Sequence, residues 1–333
     1  MKWLALIVLL LGALACAPRA QATTTCSITS VTALALGPVD PTGSFVDASA
    51  TLNYQCTYSG LLGNLYGTFV TACASVSADD QGSFAPRTVV NASNDRMAYQ
   101  VYQDAGRTTI WGTLGNASYP PRVWNTSIGI LSNGAQVTGS LNVYGRVPAG
   151  QSTLSPGSYA GSLSTSLTYS YNEALLSIGT PPAACNGGGT GGPLTAAGPT
   201  MNVTASVAAR CTFGTATDLL FGNVPGLLTV ATDQTSLLRV TCTNRAPFQL
   251  GLDNGANASG AQRRMGSAGQ YVNYELYRDS ARTQRWGNTL NSDTYAGTGS
   301  GSEQTVTVYG RVPPQAAAMA GTYSDLITVT VTY

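Results

Sequence analysis

Residues 321–333 read GTYSDLITVTVTY, and residues 157–169 read GSYAGSLSTSLTY. The two stretches share their length, their opening Gly-x-Tyr and their alternation. In the later one Ile327, Val329, Val331 and Tyr333 alternate with Thr328, Thr330 and Thr332. That is the period of a half-buried β-strand with β-branched and aromatic residues turned inward. Further matches lie outward from this pair. YQVYQDAGRTTIWG (99–112) parallels YELYRDSARTQRWG (274–287), VYGRVP recurs at 143–148 and 308–313, and Cys26 and Cys56 are echoed by Cys211 and Cys242 at nearly equal spacing. The chain is a tandem repeat. It is rich in Gly, Thr, Ser, Val and Tyr and shows no helical periodicity, so the expected class is all-β, two sandwiches in series.

The expected division is a signal peptide over 1–22, a first domain over 23–180, a flexible Gly-rich linker over 181–199 and a second domain over 200–333. Lys2, the apolar run WLALIVLLLGAL and the AQA site ending at Ala22 carry the signal-peptide reading; Cys16 in ALAC offers a lesser, lipoprotein alternative. With Lys2 and Arg19 removed, 14 of the 16 basic residues remain against 15 acidic ones, a formal charge of −1. So neutral a chain carries no electrostatic footprint for nucleic acid. Six of the seven cysteines remain, an even number that reads as disulfides in an exported protein. The repeat pairs Cys26 with Cys56 and Cys211 with Cys242. Cys73 and Cys185 have no counterparts in the second half and are expected to pair with each other.

The chain contains no histidine. That removes the Ser-His-Asp and Cys-His nucleophile arrangements and makes a zinc or haem site improbable, so neither a cofactor nor enzyme activity is expected. The adjacent Asp79 and Asp80 read as a solvated turn and not as converging carboxylates. The repeated polar motifs have structural readings too. Asp104 with Arg107, and Asp279 with Arg282, suit hairpin turns. Trp111 and Trp286 suit the core, and Arg146 and Arg311 suit a strand-end ion pair or a backbone cap.

The YGRVP motif, the GTYSDLITVTVTY stretch and the early cysteine pair, each present twice, resemble the spore coat protein U family, which includes the pilins of archaic chaperone–usher pili. The resemblance covers essentially all of the mature chain, and the two-domain layout is similar to that of pilus tip adhesins. It implies two tandem immunoglobulin-like, pilin-type β-sandwiches, the second lacking its seventh strand. It also implies the partners: a periplasmic chaperone that supplies the missing strand, an outer-membrane usher, and an adjacent pilin whose N-terminal strand replaces the chaperone's. In this chain the acceptor edge is expected at Ile327, Val329, Val331 and Tyr333. Domain 1 continues beyond Tyr169, so Leu175, Leu176 and Ile178 are expected to supply its seventh strand from within. Only Thr23–Thr25 precede Cys26 in the mature chain, too short a segment to donate. A subunit that accepts but does not donate belongs at the distal end of a fibre on the cell surface, with biofilm formation and cell adhesion as its expected roles.

Domain 1 also exceeds domain 2 in two places. Twelve residues separate Cys56 from Phe69 against five between Cys242 and Phe248, and 32 separate Trp111 from Tyr144 against 22 between Trp286 and Tyr309. The extra residues are apolar: Leu61, Leu62, Leu65 and Tyr66 in the first, Tyr119, Pro120, Pro121, Val123, Trp124, Ile128, Ile130 and Leu131 in the second. Read as loops at one pole, they form a contact site for hydrophobic surfaces or a host ligand, similar to the apolar finger loops of such adhesins. Three alternatives stay open. Trp124 could plug the sandwich end, Tyr66, Tyr119 and Trp124 could stack on sugar rings, or the chain could be a non-adhesive coat or minor capping subunit.

Overall fold

The computed structural model describes residues 23–60, 65–130, 134–224, 226–316 and 319–333, and every regular element among them is a β-strand. The first domain holds β1 (Thr23–Val31), β2 (Leu34–Pro38), β3 (Val46–Ser59), β4 (Tyr66–Val76), β5 (Arg87–Val90), β6 (Arg96–Tyr102), β7 (Arg122–Ile128), β8 (Gln136–Val147), β9 (Gly157–Leu163), β10 (Thr165–Leu175), β11 (Gly191–Ala197) and β12 (Met201–Val207). They form one sheet in the order β1-β3-β8-β6-β5-β9-β12-β2 and a second in the order β11-β10-β4-β7. The second domain holds β13 (Cys211–Ala216), β14 (Thr232–Cys242), β15 (Pro247–Leu252), β16 (Arg263–Ser267), β17 (Gln270–Tyr277), β18 (Tyr295–Thr298), β19 (Glu303–Val312) and β20 (Val329–Thr332). Its sheets run β13-β14-β19-β17-β16 and β18-β15-β20.

Alternation builds both cores. In β3 every second residue from Ala50 to Tyr58 is buried, and in β12 Met201, Val203, Ala205 and Val207 are buried while the residues between them are exposed. The inward faces of the two sheets of each domain meet in a separate apolar cluster. The repeat is visible down to single bonds. Trp111 Nε1 donates to Ala74 O at 2.8 Å and Trp286 Nε1 to Leu250 O at 2.7 Å. Buried Arg87 and Arg263 each cap the carbonyl of that tryptophan at 2.7 Å. Asp104 and Asp279 close their turns by accepting backbone N–H groups of Thr108 and Thr109, and of Thr283 and Gln284. Arg146 and Arg311 form forked pairs with Asp47 and Asp233, as expected of strand-end ion pairs. The disulfides are Cys26–Cys56, Cys73–Cys185 and Cys211–Cys242.

Two expectations fail here. The stretch 181–199 is not a free linker. Within it β11 pairs antiparallel with β10 as the edge strand of that sheet, and ahead of it Thr71 Oγ1 donates to Pro182 O and Ser170 Oγ to Cys185 O, which holds this stretch against β4 and β10. Nor do Leu175, Leu176 and Ile178 complete domain 1. Ile178 is 81% exposed, and Leu176 and Ser177 turn the chain back with left-handed φ values of 57° and 54°. The completing strand is β12, placed by sequence at the head of domain 2. It runs antiparallel to β9, with Met201 opposite Leu163 and Val207 opposite Gly157, and parallel to β2, with Val203 opposite Leu34.

Candidate functional site

Domain 2 repeats the walls of the slot that β12 fills, without a strand in it. Thr32 N bonds Thr51 O in domain 1 and Thr217 N bonds Leu237 O in domain 2. Leu34 packs over Gly145 as Leu219 packs over Gly310, and the left-handed Gly37 (φ 75°) matches Gly222 (φ 74°). On the opposite wall the Tyr159 hydroxyl donates to Ser155 O as the Tyr323 hydroxyl donates to Met319 O. In domain 1 Leu34, Leu36, Tyr159 and Leu163 are all buried. Their counterparts Leu219, Phe221, Tyr323 and Ile327 are only half-buried. Among the described residues, no strand pairs with 321–327 on the edge that β12 covers in domain 1. Apolar side chains stand open around this groove, with Leu220, Leu326 and Met319 each about two-thirds or more exposed.

The predicted edge residues divide along this wall. Ile327, Val329 and Val331 pack half-buried against the domain 2 core, whereas Tyr333 is exposed. Among the described residues β20 pairs only with β15, whereas its counterpart β10 is flanked by both β4 and β11. Domain 2 thus presents an unfilled groove and an unpaired strand edge together, which is the geometry that invites strand addition.

The second candidate is the end of domain 1 that lies away from domain 2. β9 leaves the interdomain contact and the chain continues through β10, so Leu175 lies at the far pole. The near end is tied to domain 2 by Arg245–Asp95 at 3.0 Å, Arg210–Asp40 at 3.2 Å and Asn244 Nδ2 to Thr153 O at 2.5 Å. Three connections meet at the far pole: the one after β3, the one after β7 and the one after β10. Leu175 pairs with Tyr66, Leu176 N donates to Leu65 O, and Thr68 pairs with Ile128. Leu65, Ile130, Leu175, Leu176 and Ile178 are exposed there. Leu61, Leu62 and Leu131 lie outside the described residues.

The rest of the predicted loop set is distributed differently. The expected second loop contains β7, paired along β4, and strand alternation sorts its residues. Val123 faces outward. Trp124 and Ile128 face inward, with Trp124 packed on Tyr54 at a centroid distance of 4.8 Å. Tyr119, Pro120 and Pro121 sit at the opposite end of β7. There Gly112 N and Thr113 N bond Pro120 O and Tyr119 O, and the Tyr119 ring stacks on Phe84. Tyr66, Tyr119 and Trp124 therefore make no common platform for a sugar.

Sequence reasoning also missed a polar group beneath the apolar pole. Glu173 follows Tyr169 and Tyr171 on the inward face of β10, opposite Thr68, whose hydroxyl accepts a bond from Thr24 across the sandwich. Burial raises its carboxyl above the usual range. Tyr58 sits opposite Thr24, and its hydroxyl is raised first by burial and then by the Glu173 charge. Tyr58 Oη and Glu173 Oε1 are both buried without a hydrogen-bond partner among the described residues. The signal was the one acidic residue in step with the tyrosines of SLTYSYNEAL.

The model of the Spore Coat Protein U domain matches residues 12–165 and 198–330. "Protein U" of Myxococcus xanthus is 35% identical over 149 residues, covering 40% of this chain and 83% of that protein. Among solved structures, one similar chain comes from the CsuC–CsuE chaperone–tip adhesion subunit pre-assembly complex of the archaic chaperone-usher Csu pili of Acinetobacter baumannii. It is 20% identical with a TM-score of 0.49, covering 93% of this chain and 100% of that one. Another is the CupB6 tip adhesin of Pseudomonas aeruginosa, 12% identical with a TM-score of 0.36, covering 93% of each chain.

Proposed function

The chain belongs to the Spore Coat Protein U domain family, and from that premise we propose that it is an exported, non-enzymatic subunit of a chaperone–usher pilus that joins its fibre by taking a foreign strand into domain 2. One observation carries the reading: residues that β12 buries in domain 1 recur at matching positions of domain 2 with no strand over them. Seating about four apolar side chains at ~1.5–3 kcal/mol each gives ~6–12 kcal/mol, comparable with the whole stability of an ordinary domain. A periplasmic chaperone supplies that strand during export and an adjacent pilin's N-terminal strand supplies it in the fibre, with an outer-membrane usher between the two.

The distal position and the adhesive role follow on the same reading. On this reading cleavage falls near Ala22, and the strand that follows, β1, is itself paired with β3 from Thr23 opposite Ser59 onward, so β1 is not a free donor. The strand at the head of domain 2 is likewise engaged, as β12, in domain 1. The pole bearing Leu65, Ile130, Leu175, Leu176 and Ile178 then points away from the fibre and grips hydrophobic surfaces, supporting cell adhesion and biofilm formation. Two measurements test this. The mature protein is expected to be soluble only with a chaperone or a fused complementing strand; a monomer whose domain 2 melts identically with and without the added strand overturns the acceptor reading. Replacing Leu65, Ile130, Leu176 and Ile178 by serine is expected to abolish attachment to methyl-terminated surfaces with melting unchanged. Undiminished attachment assigns the protein a capping role instead.

A further inference from the structure

The cluster under the apolar pole has a chemistry that an apolar grip does not use. Glu173, opposite Thr68, lies two residue pairs in from the rim, the rim pair being Leu175 and Tyr66. It forms no ion pair among the described residues, and burial is the sole influence on its carboxyl. Its Oε1 and the hydroxyl oxygen of Tyr58, a residue 2% exposed, are buried at this end of the sandwich without partners among the described residues. A carboxylate oxygen buried without a donor is costly unless something supplies charge and hydrogen bonds. The surroundings are aromatic: the Tyr58 hydroxyl senses Tyr66 and Tyr171 as well as Glu173. Tyr171 is buried on the inward face beside Glu173, and Tyr66 is half-buried at the rim.

We propose that this mouth binds a primary alkylammonium group, with Glu173 and Tyr58 as acceptors for its N–H bonds. The Tyr66 and Tyr171 rings flank the charge, and Leu65 and Leu175 carry the alkyl chain. An ammonium has three donors and no acceptor, which complements a carboxylate oxygen and a phenol oxygen that both lack donors. Tyrosine rings add cation–π attraction, stronger where water is excluded. The pole then recognises amine-bearing chains, such as lysine side chains or amino-functional polymers, in addition to purely apolar surfaces.

This inference rests on the reading of that pole as the contact surface, and a titration in solution separates the two. n-Hexylammonium chloride and hexanol are titrated into the mature full-length chain by calorimetry. The amine is expected to bind at least tenfold more tightly than the alcohol. Glu173→Gln, nearly isosteric and uncharged, is expected to remove that preference. Tyr58→Phe, which keeps the ring, is expected to weaken the amine a few-fold and leave hexanol unchanged, with near-ultraviolet circular dichroism reporting the fold of each variant. Equal affinity for amine and alcohol, amine binding unaltered by Glu173→Gln, or no saturable amine binding overturns the site. Attachment of Glu173→Gln to methyl-terminated monolayers is measured alongside and is expected to persist, so the apolar grip and the amine site fail separately.

Discussion

Domains 1 and 2 carry the same walls and differ in what fills the slot between them. Leu34 and Leu36 are sealed, Leu219 and Phe221 are not, and the single cause is seven residues of β12. Those residues stand, in the repeat, at the head of domain 2. The structure therefore gives domain 1 a strand that sequence order assigns to its neighbour, a cross-domain loan that leaves domain 2 short. The open groove of the second sandwich is thus the same slot that β12 occupies in the first. The most direct way to break the comparison is to shorten the chain. A fragment ending at residue 209 keeps β12, and one ending at 199 loses Met201, Val203 and Val207, worth about 5–9 kcal/mol of burial. The longer fragment is expected to unfold in one cooperative transition and the shorter to show none, as read by denaturant titration. A folded fragment ending at 199 would falsify the equivalence of the two grooves.

Next in size is the bridge with no counterpart in domain 2. Cys73–Cys185 spans 112 residues and pins the segment leading to β11 and β12 onto β4. In the chain-entropy model a loop of that length is worth about 4–5 kcal/mol. Replacing both cysteines by alanine is expected to lower the melting transition of domain 1 and leave that of domain 2 in place. The Cys26–Cys56 and Cys211–Cys242 bridges close loops with separations of 30 and 31 residues, so their removal should affect the two domains about equally, by roughly 3–4 kcal/mol each. Equal sensitivity of both domains to loss of Cys73–Cys185 would show that β12 transmits stability into domain 2.

The difference between the domains was only half legible in the sequence. Class, repeat, the two repeated cysteine pairs and the twin ion pairs of Arg146 and Arg311 could be read because each rests on local alternation or on a motif present twice, and Cys73–Cys185 followed as the remaining pair. The filling strand could not be read that way. Both SYNEALLSI after β10 and MNVTASV at β12 offer apolar side chains, and the nearer was expected to close the fold. The left-handed turn at Leu176 and Ser177 and the pairing of β11 along the edge of β10 carry the chain past the first candidate. That is a long-range outcome, invisible to periodicity. Apolar content likewise flagged Trp124 and Ile128 as loop residues, although a period of two in RVWNTSI turns them inward while Val123 stays out. Glu173 escaped notice because a single acid in a strand looks like a solvent-facing residue until its register is known.

The smallest effect concerns that acid and again separates the domains. Burial lifts the Glu173 carboxyl above its ordinary range in the folded state. A carboxyl whose folded pKa lies above its unfolded value opposes folding when ionised. The penalty is absent below the unfolded carboxyl range and grows as pH rises from the unfolded value through the folded one. Glu173→Gln is therefore expected to raise the domain 1 melting temperature modestly at pH 7. The gain should shrink as the medium is acidified and vanish at about pH 3–4, below the ordinary glutamate value, with the domain 2 transition unmoved throughout. A gain of the same size at acid and neutral pH would mean that the side chain's shape, and not its charge, is what domain 1 tolerates poorly. Set beside the loss of amine affinity expected from the same substitution, a pH-dependent gain identifies Glu173 as a residue kept at a cost to stability, the usual signature of a binding group.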